Sequence, residues 1–132
     1  MREIFADAWF FIALANPFDS HHAAAIRLHV RPQRFVTHDA VLTEVLAHFS
    51  KAGARGRQEA ARMARRALRE LYVEPVSREL FLLALDLYSR RPDKAYSLVD
   101  CMSMVLMRQR GIEHVLTNDH HFRQEGFTVV NQ

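Results

Sequence analysis

Glu3-Ile4-Phe5-Ala6-Asp7-Ala8-Trp9-Phe10-Phe11-Ile12-Ala13-Leu14-Ala15 is the stretch whose reading decides the fold. Its first four residues form a short strand-like run, and an unbroken apolar segment of helical length follows from Ala8 to Ala15. Between them stands Asp7, whose chain neighbours offer it no counter-charge. Burying a lone carboxylate costs several kcal/mol unless something compensates, so this acid needs an explanation beyond folding.

The same alternation continues along the chain. Further strand-like runs lie at Arg34–Thr37, Tyr72–Val76, His114–Thr117 and Phe127–Val130. Helical spacing marks Ser20–Val30, Ala40–Lys51, Arg57–Leu71, Arg78–Ser89 and Leu98–Arg110. Strands separated by helices require crossover connections and hence parallel pairing. Pro17, Pro32, Pro75 and Pro92 all fall at segment edges, where a missing backbone N–H does least harm. The pattern predicts an α/β fold, a three-layer α/β/α sandwich on a mainly parallel sheet of about five strands, as one domain over residues 1–132.

Composition narrows the class. A chain of 132 residues, 49% hydrophobic and 25% charged, has the make-up of a soluble globular protein, and no run approaches the length of a membrane span. The single Cys101 excludes an internal disulfide and fits a reducing compartment. Ala13-Leu14-Ala15 imitates a signal-peptidase site, but Glu3 and Asp7 outweigh Arg2 where a leader needs cationic flanks, so a cytoplasmic protein is expected. Of eighteen basic residues only Lys51 and Lys94 are lysines. Arginine is the better bidentate partner for phosphate, although a GC-rich genome enriches it too.

Three further acids share the situation of Asp7. Asp100 lies within Leu98-Val99-Asp100-Cys101-Met102-Ser103-Met104-Val105-Leu106-Met107, Asp119 follows the fourth strand, and Glu44 lies one turn into the helix after the second. Each can also be read as a helix cap or a solvated residue, and Asp39 is expected to be an N-cap. In a parallel sheet, however, all four reach the same edge, beyond the carboxyl ends of the strands, where open α/β sheets place their sites. Hard oxygen donors without a thiolate or a turn-spaced histidine pair suit Mg²⁺ or Mn²⁺. Two such ions roughly 4 Å apart can support phosphodiester cleavage.

These residues resemble the PIN-domain nucleases, in particular the VapC toxins of toxin–antitoxin pairs. The resemblance runs nearly end to end. It rests on Ile4-Phe5-Ala6-Asp7 before an apolar helix, on Thr43-Glu44, on Ser97-Leu98-Val99-Asp100-Cys101 followed by Ser103, and on Leu116-Thr117-Asn118-Asp119-His120-His121-Phe122. It implies that Asp7, Glu44, Asp100 and Asp119 form a catalytic, metal-binding quartet for Mg²⁺ or Mn²⁺, with Ser103 and Asn118 in support. It further implies hydrolysis of RNA to 5′-phosphate and 3′-hydroxyl ends, a VapB-like antitoxin partner and a homodimer. One departure is Ala8-Trp9, where many relatives carry a Ser or Thr after the first aspartate. Ser103 can equally be a buried serine bonded back to its own helix.

Arg62, Arg65, Arg66 and Arg69 recur on one helical face, opposite an expected apolar face of Ala61, Ala64, Leu68 and Leu71. That arginine face reads either as an RNA-backbone track or as a solvated surface partly neutralised by Glu59 and Glu70; Gly53 and Gly56 are expected to loosen the turn before it, which leaves a clip for a partner or a second subunit as a third reading. The adjacent pairs His21-His22 and His120-His121 lack turn-spaced geometry, and no metal role is expected of them. The phenylalanines and Trp9 are expected in the core and at a dimer surface. A phosphoacceptor receiver domain also has this length and fold class, but it needs adjacent acids after the first strand and a lysine after the last. A housekeeping RNA-processing nuclease and a catalytically silent RNA- or protein-binding module remain as alternatives.

Overall fold

Strand β1 (Glu3–Ala6) is the centre of a five-stranded parallel sheet in the order β3-β2-β1-β4-β5. The structure is a computed structural model, and it describes residues 2–130. The other strands are β2 (Arg34–His38), β3 (Tyr72–Glu74), β4 (His114–Leu116) and β5 (Thr128–Val129). Every pairing among them is parallel, including the edges that the sequence left open as mainly parallel. Ile4, Phe5 and Ala6 are all buried, as a strand covered on both faces requires.

The helices fall into two groups. Helices α1 (Ala8–Ala15), α2 (His22–His29), α3 (Asp39–His48) and α4 (Gly53–Glu70) pack among themselves, whereas α5 (Arg78–Arg90) packs on α6 (Leu98–Arg110) and α6 on α7 (His121–Gln124). The chain moves outward from β1 through β2 to β3, then crosses back to β4 on the other flank of β1. Crossovers of constant hand therefore put the first four helices on one face and the last three on the other. The reversal of strand order falls between β1 and β4, where α/β sheets open a crevice.

Several boundaries differ from the sequence reading for identifiable reasons. Helix α4 begins at Gly53, four residues earlier than expected, so Gly53 and Gly56 belong to the helix. Its buried stripe is Ala60, Ala64 and Ala67, while Leu68 is 57% exposed. The small side chains let α4 lie close to its neighbours, and Leu68 points away. Asp39 starts α3 as a helical residue, and the cap before it is His38, whose ring accepts the Val41 N–H. Helix α7 has four residues, too few for a periodicity to show.

That short helix is anchored at both ends. Phe122 is fully buried, and Glu125 at the C-cap has a side chain only 5% exposed. Both Glu125 oxygens accept from Arg91 at 3.0 Å, Arg108 adds a bond at 2.9 Å, and Tyr96 Oη donates at 3.0 Å. These donors, Arg91 first, hold the Glu125 carboxyl down to about 2 against the penalty of burial. An acid with a depressed pKa stabilises the fold above its unfolded value, and that contribution is lost as pH falls through the folded value. Glu125→Gln should therefore cost about 2 kcal/mol at pH 7, lowering Tm by roughly 6 °C. The gap from wild type should narrow as thermal melts are taken from pH 5 down to pH 2.5; a constant gap would mean that the charge is not what Arg91 and Arg108 hold.

Candidate active site

The β1–β4 crevice is built from side chains that leave parallel neighbours at the same height. The register pairs Ala6 with Leu116, so Asp7 and Thr117 emerge side by side. The Asp7 backbone N–H donates to the Leu116 carbonyl at 3.0 Å, and the Thr117 hydroxyl donates to Asp7 Oδ2 at 2.8 Å. The same hydroxyl accepts the Asp119 N–H at 3.1 Å, so one buried threonine ties two acids together. The hydroxyl that the family pattern offers just after the first aspartate is missing at Ala8, and Thr117 supplies one on the same carboxylate. Sequence reasoning quoted this threonine only as part of a motif; the signal for its role is its place at the end of the strand beside β1.

Asp100 enters from the start of α6. There it forms a reciprocal capping box: its backbone N–H donates to Ser97 Oγ, and its Oδ2 accepts the Ser97 N–H, both at 3.0 Å. Its side chain is 12% exposed and also faces the loop after β4. The capping reading and the cluster reading of Asp100 thus hold together. Asp119 Oδ1 accepts the His121 N–H at 2.9 Å, an Asx turn that starts α7. Its Oδ2 lies 3.1 Å from His121 Nδ1, and the same nitrogen lies 3.1 Å from Asp100 Oδ2. The sequence reading set the His120-His121 pair aside, but the geometry puts His121 between two of the acids and leaves His120 exposed.

Glu44 projects from α3 on the solvent side of the crevice. Partial burial, then the charges of Asp7 and Asp100, push its carboxyl up to about 7. Asp7 rises to about 6, chiefly through burial, with the Thr117 and Ala8 hydrogen bonds pulling the other way and Asp100 and Asp119 adding repulsion. Four carboxylates therefore share one crevice. Among the described residues, no lysine or arginine forms an ion pair with any of them.

Ser103 is buried one turn beyond Asp100, and among the described residues it makes no hydrogen bond to an acid. Its hydroxyl donates to the Val99 carbonyl at 3.0 Å and lies 2.9 Å from His38 Nε2. Because His38 Nδ1 accepts from Val41, the ring proton is on Nε2 and Ser103 receives it. Burial pushes His38 down to about 4 and keeps this imidazole neutral. Ser103 thus braces α6 against the β2–α3 junction. Asn118 is exposed between Thr117 and Asp119.

Arg62, Arg65, Arg66 and Arg69 of α4 do not act as one face. Arg62, Arg65 and Arg69 join Arg57 along a cleft that also contains Leu46, two residues beyond Glu44. Arg66 lies on a different, largely apolar cleft beside Phe10, Met63 and Glu70, and it pairs with Glu70. Arg62 pairs with Glu59 at 2.8 Å, whereas Arg65 and Arg69 form no ion pair among the described residues.

A buried acid, a threonine strut and further acids thus stand at the switch point of a parallel sheet, and residues 4–127 match the PIN domain. The chain belongs to the PIN-domain family. It is 33% identical over 129 residues to the 23S rRNA-specific endonuclease VapC20 of Mycobacterium tuberculosis, covering 96% of this chain and 97% of that protein. The crystal structure of M. tuberculosis VapC20, described as a sarcin–ricin loop cleaving toxin, superposes with a TM-score of 0.85 at 31% identity, covering 98% and 99% of the two chains. VapBC2 from Rickettsia felis, bound to a promoter DNA fragment, shares the fold with a TM-score of 0.70 at 12% identity, covering 98% of each chain. In this PIN-domain chain no described helix is long and apolar enough to cross a membrane.

The raised pKa of Asp7 makes a signed prediction. Its ionised form opposes folding above pH 6, and protonation relieves that cost as pH falls toward the unfolded value near 3.8. In EDTA at pH 7.5, Asp7→Asn should raise Tm by roughly 3–6 °C, corresponding to about 1–2 kcal/mol, and the gain should vanish by about pH 4. Differential scanning fluorimetry across pH tests this, and a mutant that melts below wild type at pH 7.5 would remove Asp7 from a charge cluster.

Proposed function

We propose that this PIN-domain chain is a metal-dependent endoribonuclease, the toxin of a toxin–antitoxin pair, whose quartet Asp7, Glu44, Asp100 and Asp119 holds Mg²⁺ or Mn²⁺. The observation that supports the reading is the convergence of four acids with no lysine or arginine paired to them among the described residues. Such a donor set fits a divalent cation: oxygen-rich, partly buried, and repulsive until a positive charge arrives. When bound, ions of this kind activate water and neutralise charge on the leaving oxygen in phosphodiester hydrolysis, here giving 5′-phosphate and 3′-hydroxyl ends.

The chain's own residues supply placement. Thr117 and the Ala8 N–H fix Asp7, the capping box fixes Asp100, and the Asx turn fixes Asp119. Glu44, at the solvent side, is the acid whose protonation changes most readily near neutral pH in the metal-free chain. Asn118, exposed beside Asp119, is available to a substrate group. Arg65 and Arg69, without an ion-pair partner among the described residues and in the cleft lined by Leu46 and Arg57, are suited to the phosphates of an RNA strand.

The 33% identity to VapC20, spread over nearly the whole chain, supports a structured loop of large-subunit ribosomal RNA as the target. A nuclease directed at ribosomes must be silenced in the cell that makes it, which favours a VapB-like antitoxin as partner and a cytoplasmic location. The exposed Leu82, Leu85 and Tyr88 on α5 form an apolar stripe suited to a homodimer or another protein contact. A housekeeping nuclease would use the same chemistry without the silencing partner.

Purified protein incubated with ribosomes and Mn²⁺ or Mg²⁺ should cut 23S rRNA at one position, mapped by 5′-phosphate-dependent ligation and sequencing. EDTA should stop the reaction, and Asp100→Asn or Asp119→Asn should slow it by about a thousandfold. Cleavage that survives both EDTA and these substitutions would refute the acid-quartet reading. In filter binding, Arg65→Ala with Arg69→Ala should weaken RNA affinity and lower the log–log salt slope by roughly 1.5, while Arg66→Ala leaves the slope unchanged. Equal effects from all three would return the arginines to a single diffuse face.

A further inference from the structure

Within that reading of the quartet, one residue of the crevice is still unassigned. His121 Nδ1 lies 3.1 Å from Asp100 Oδ2 and 3.1 Å from Asp119 Oδ2. A ring nitrogen carries at most one proton, and that proton can satisfy one of two carboxylates well. The bond to Asp100 meets hydrogen-bond geometry, and the contact with Asp119 at the same distance is a close approach only. Two equal separations of this size are, however, what neighbouring donors show around an octahedral cation. With bonds of about 2.1 Å, donors at right angles lie about 3.0 Å apart.

The segment that carries the imidazole is also held in place. Phe122, the next residue, is fully buried, and Glu125 at the end of the same short helix is clamped by Arg91, Arg108 and Tyr96. The Tyr96 ring packs against His121 at a centroid distance of 5.5 Å, and the His121 backbone N–H is bonded to Asp119. The side chain is 17% exposed. Each carboxylate oxygen it faces has a second lone pair, so the Ser97 N–H on Asp100 Oδ2 does not block a cation there. Asp119, His120 and His121 also offer ligand atoms that all lie within 4.8 Å of one another.

We infer that His121 Nδ1 is a metal ligand, which makes the centre a mixed nitrogen–oxygen site that selects a first-row transition ion such as Mn²⁺ over Mg²⁺. The chemistry behind the selection is ordinary: magnesium prefers hard oxygen donors and its own water, whereas an imidazole strengthens binding of the softer first-row ions. His120, with its side chain 72% exposed and Nδ1 3.9 Å from Asp119 Oδ1, is not required. The inference rests on the acid quartet as a metal centre, and the test below separates the two.

The experiment uses the full chain without RNA. Mn²⁺ added to wild type should give an electron spin echo modulation from a directly bound nitrogen, absent in His121→Ala and retained in His120→Ala. By isothermal titration, His121→Ala should weaken Mn²⁺ binding by about tenfold or more while Mg²⁺ binding changes less than about threefold. His121→Asn, which keeps a polar side chain at the start of α7, should show the same loss of nitrogen coupling. Mn²⁺ bound to wild type without nitrogen modulation overturns the assignment and leaves the quartet standing. So does a signal that follows His120, or an equal loss of Mn²⁺ and Mg²⁺, the mark of a residue that only positions the acids. If neither ion binds wild type, or Asp100→Asn binds both as well as wild type does, the quartet and the histidine fall together.

Discussion

The pairing of β1 with β4 decides where everything else in the crevice can stand. Asp7 leaves the sheet with its backbone N–H on Leu116 and its carboxylate on the Thr117 hydroxyl, which in turn receives the Asp119 N–H. Four residues from two strand ends are thus locked by three hydrogen bonds, two of them 3.0 Å or shorter. The other two acids come from helices, Glu44 from α3 after β2 and Asp100 from α6 before β4. Their approach is possible because the strand order reverses between β1 and β4, leaving a crevice that no crossover covers.

That placement carries an electrostatic cost. Burial raises Asp7, and the like charges of Asp100 and Asp119 add to it, while Glu44 is raised by burial and by Asp7 and Asp100. A fold selected only for stability would replace such a group with neutral residues, since removing one charge from a repulsive cluster relieves its neighbours. The stabilising interactions sit instead in the supporting parts. The Glu125 cluster is fully paired and far more acidic than an ordinary glutamate, and it fixes the helix that presents His121. Repulsion in the crevice and attraction behind it are two halves of one arrangement.

How much of this was legible before the structure depends on whether the information was local. Strands and helices were readable because a strand-like run of four residues beside an apolar run of eight separates the two element types by length, as Glu3–Ala6 and Ala8–Ala15 do. The acids were readable because a carboxylate inside an apolar run is conspicuous. What escaped was everything that depends on strand order. Nothing local says that Thr117 stands beside Asp7, and without that adjacency the threonine is one more strand residue. His121 escaped for a related reason: it was judged by its spacing from His120, whereas its partners are Asp119 two residues earlier and Asp100 on another element. Arg66 was grouped with its helical neighbours because a 3.6-residue period defines a face but not what lies against each half of it. The position of Phe10 and Met63 puts Arg66 over one cleft and Arg65 over another.

The remaining buried polar pair shows why the crevice can keep its shape while its acids change protonation. Glu44 is carried by α3 and Asp100 by α6, on opposite faces of the sheet, so something must hold those helices in register across it. His38 and Ser103 do this with a chain of donors and acceptors that has only one consistent assignment. Val41 N–H gives to Nδ1, Nε2–H gives to Ser103 Oγ, and the serine proton goes to Val99. A proton added at Nδ1 would remove the acceptor for Val41 and place a charge in the core. Burial therefore keeps the imidazole neutral until about pH 4, well below the values near 6 and 7 at which Asp7 and Glu44 exchange protons. Because the strut and the acids titrate in different ranges, the crevice can gain or lose charge, or take up a cation, without disturbing the contact that sets its width.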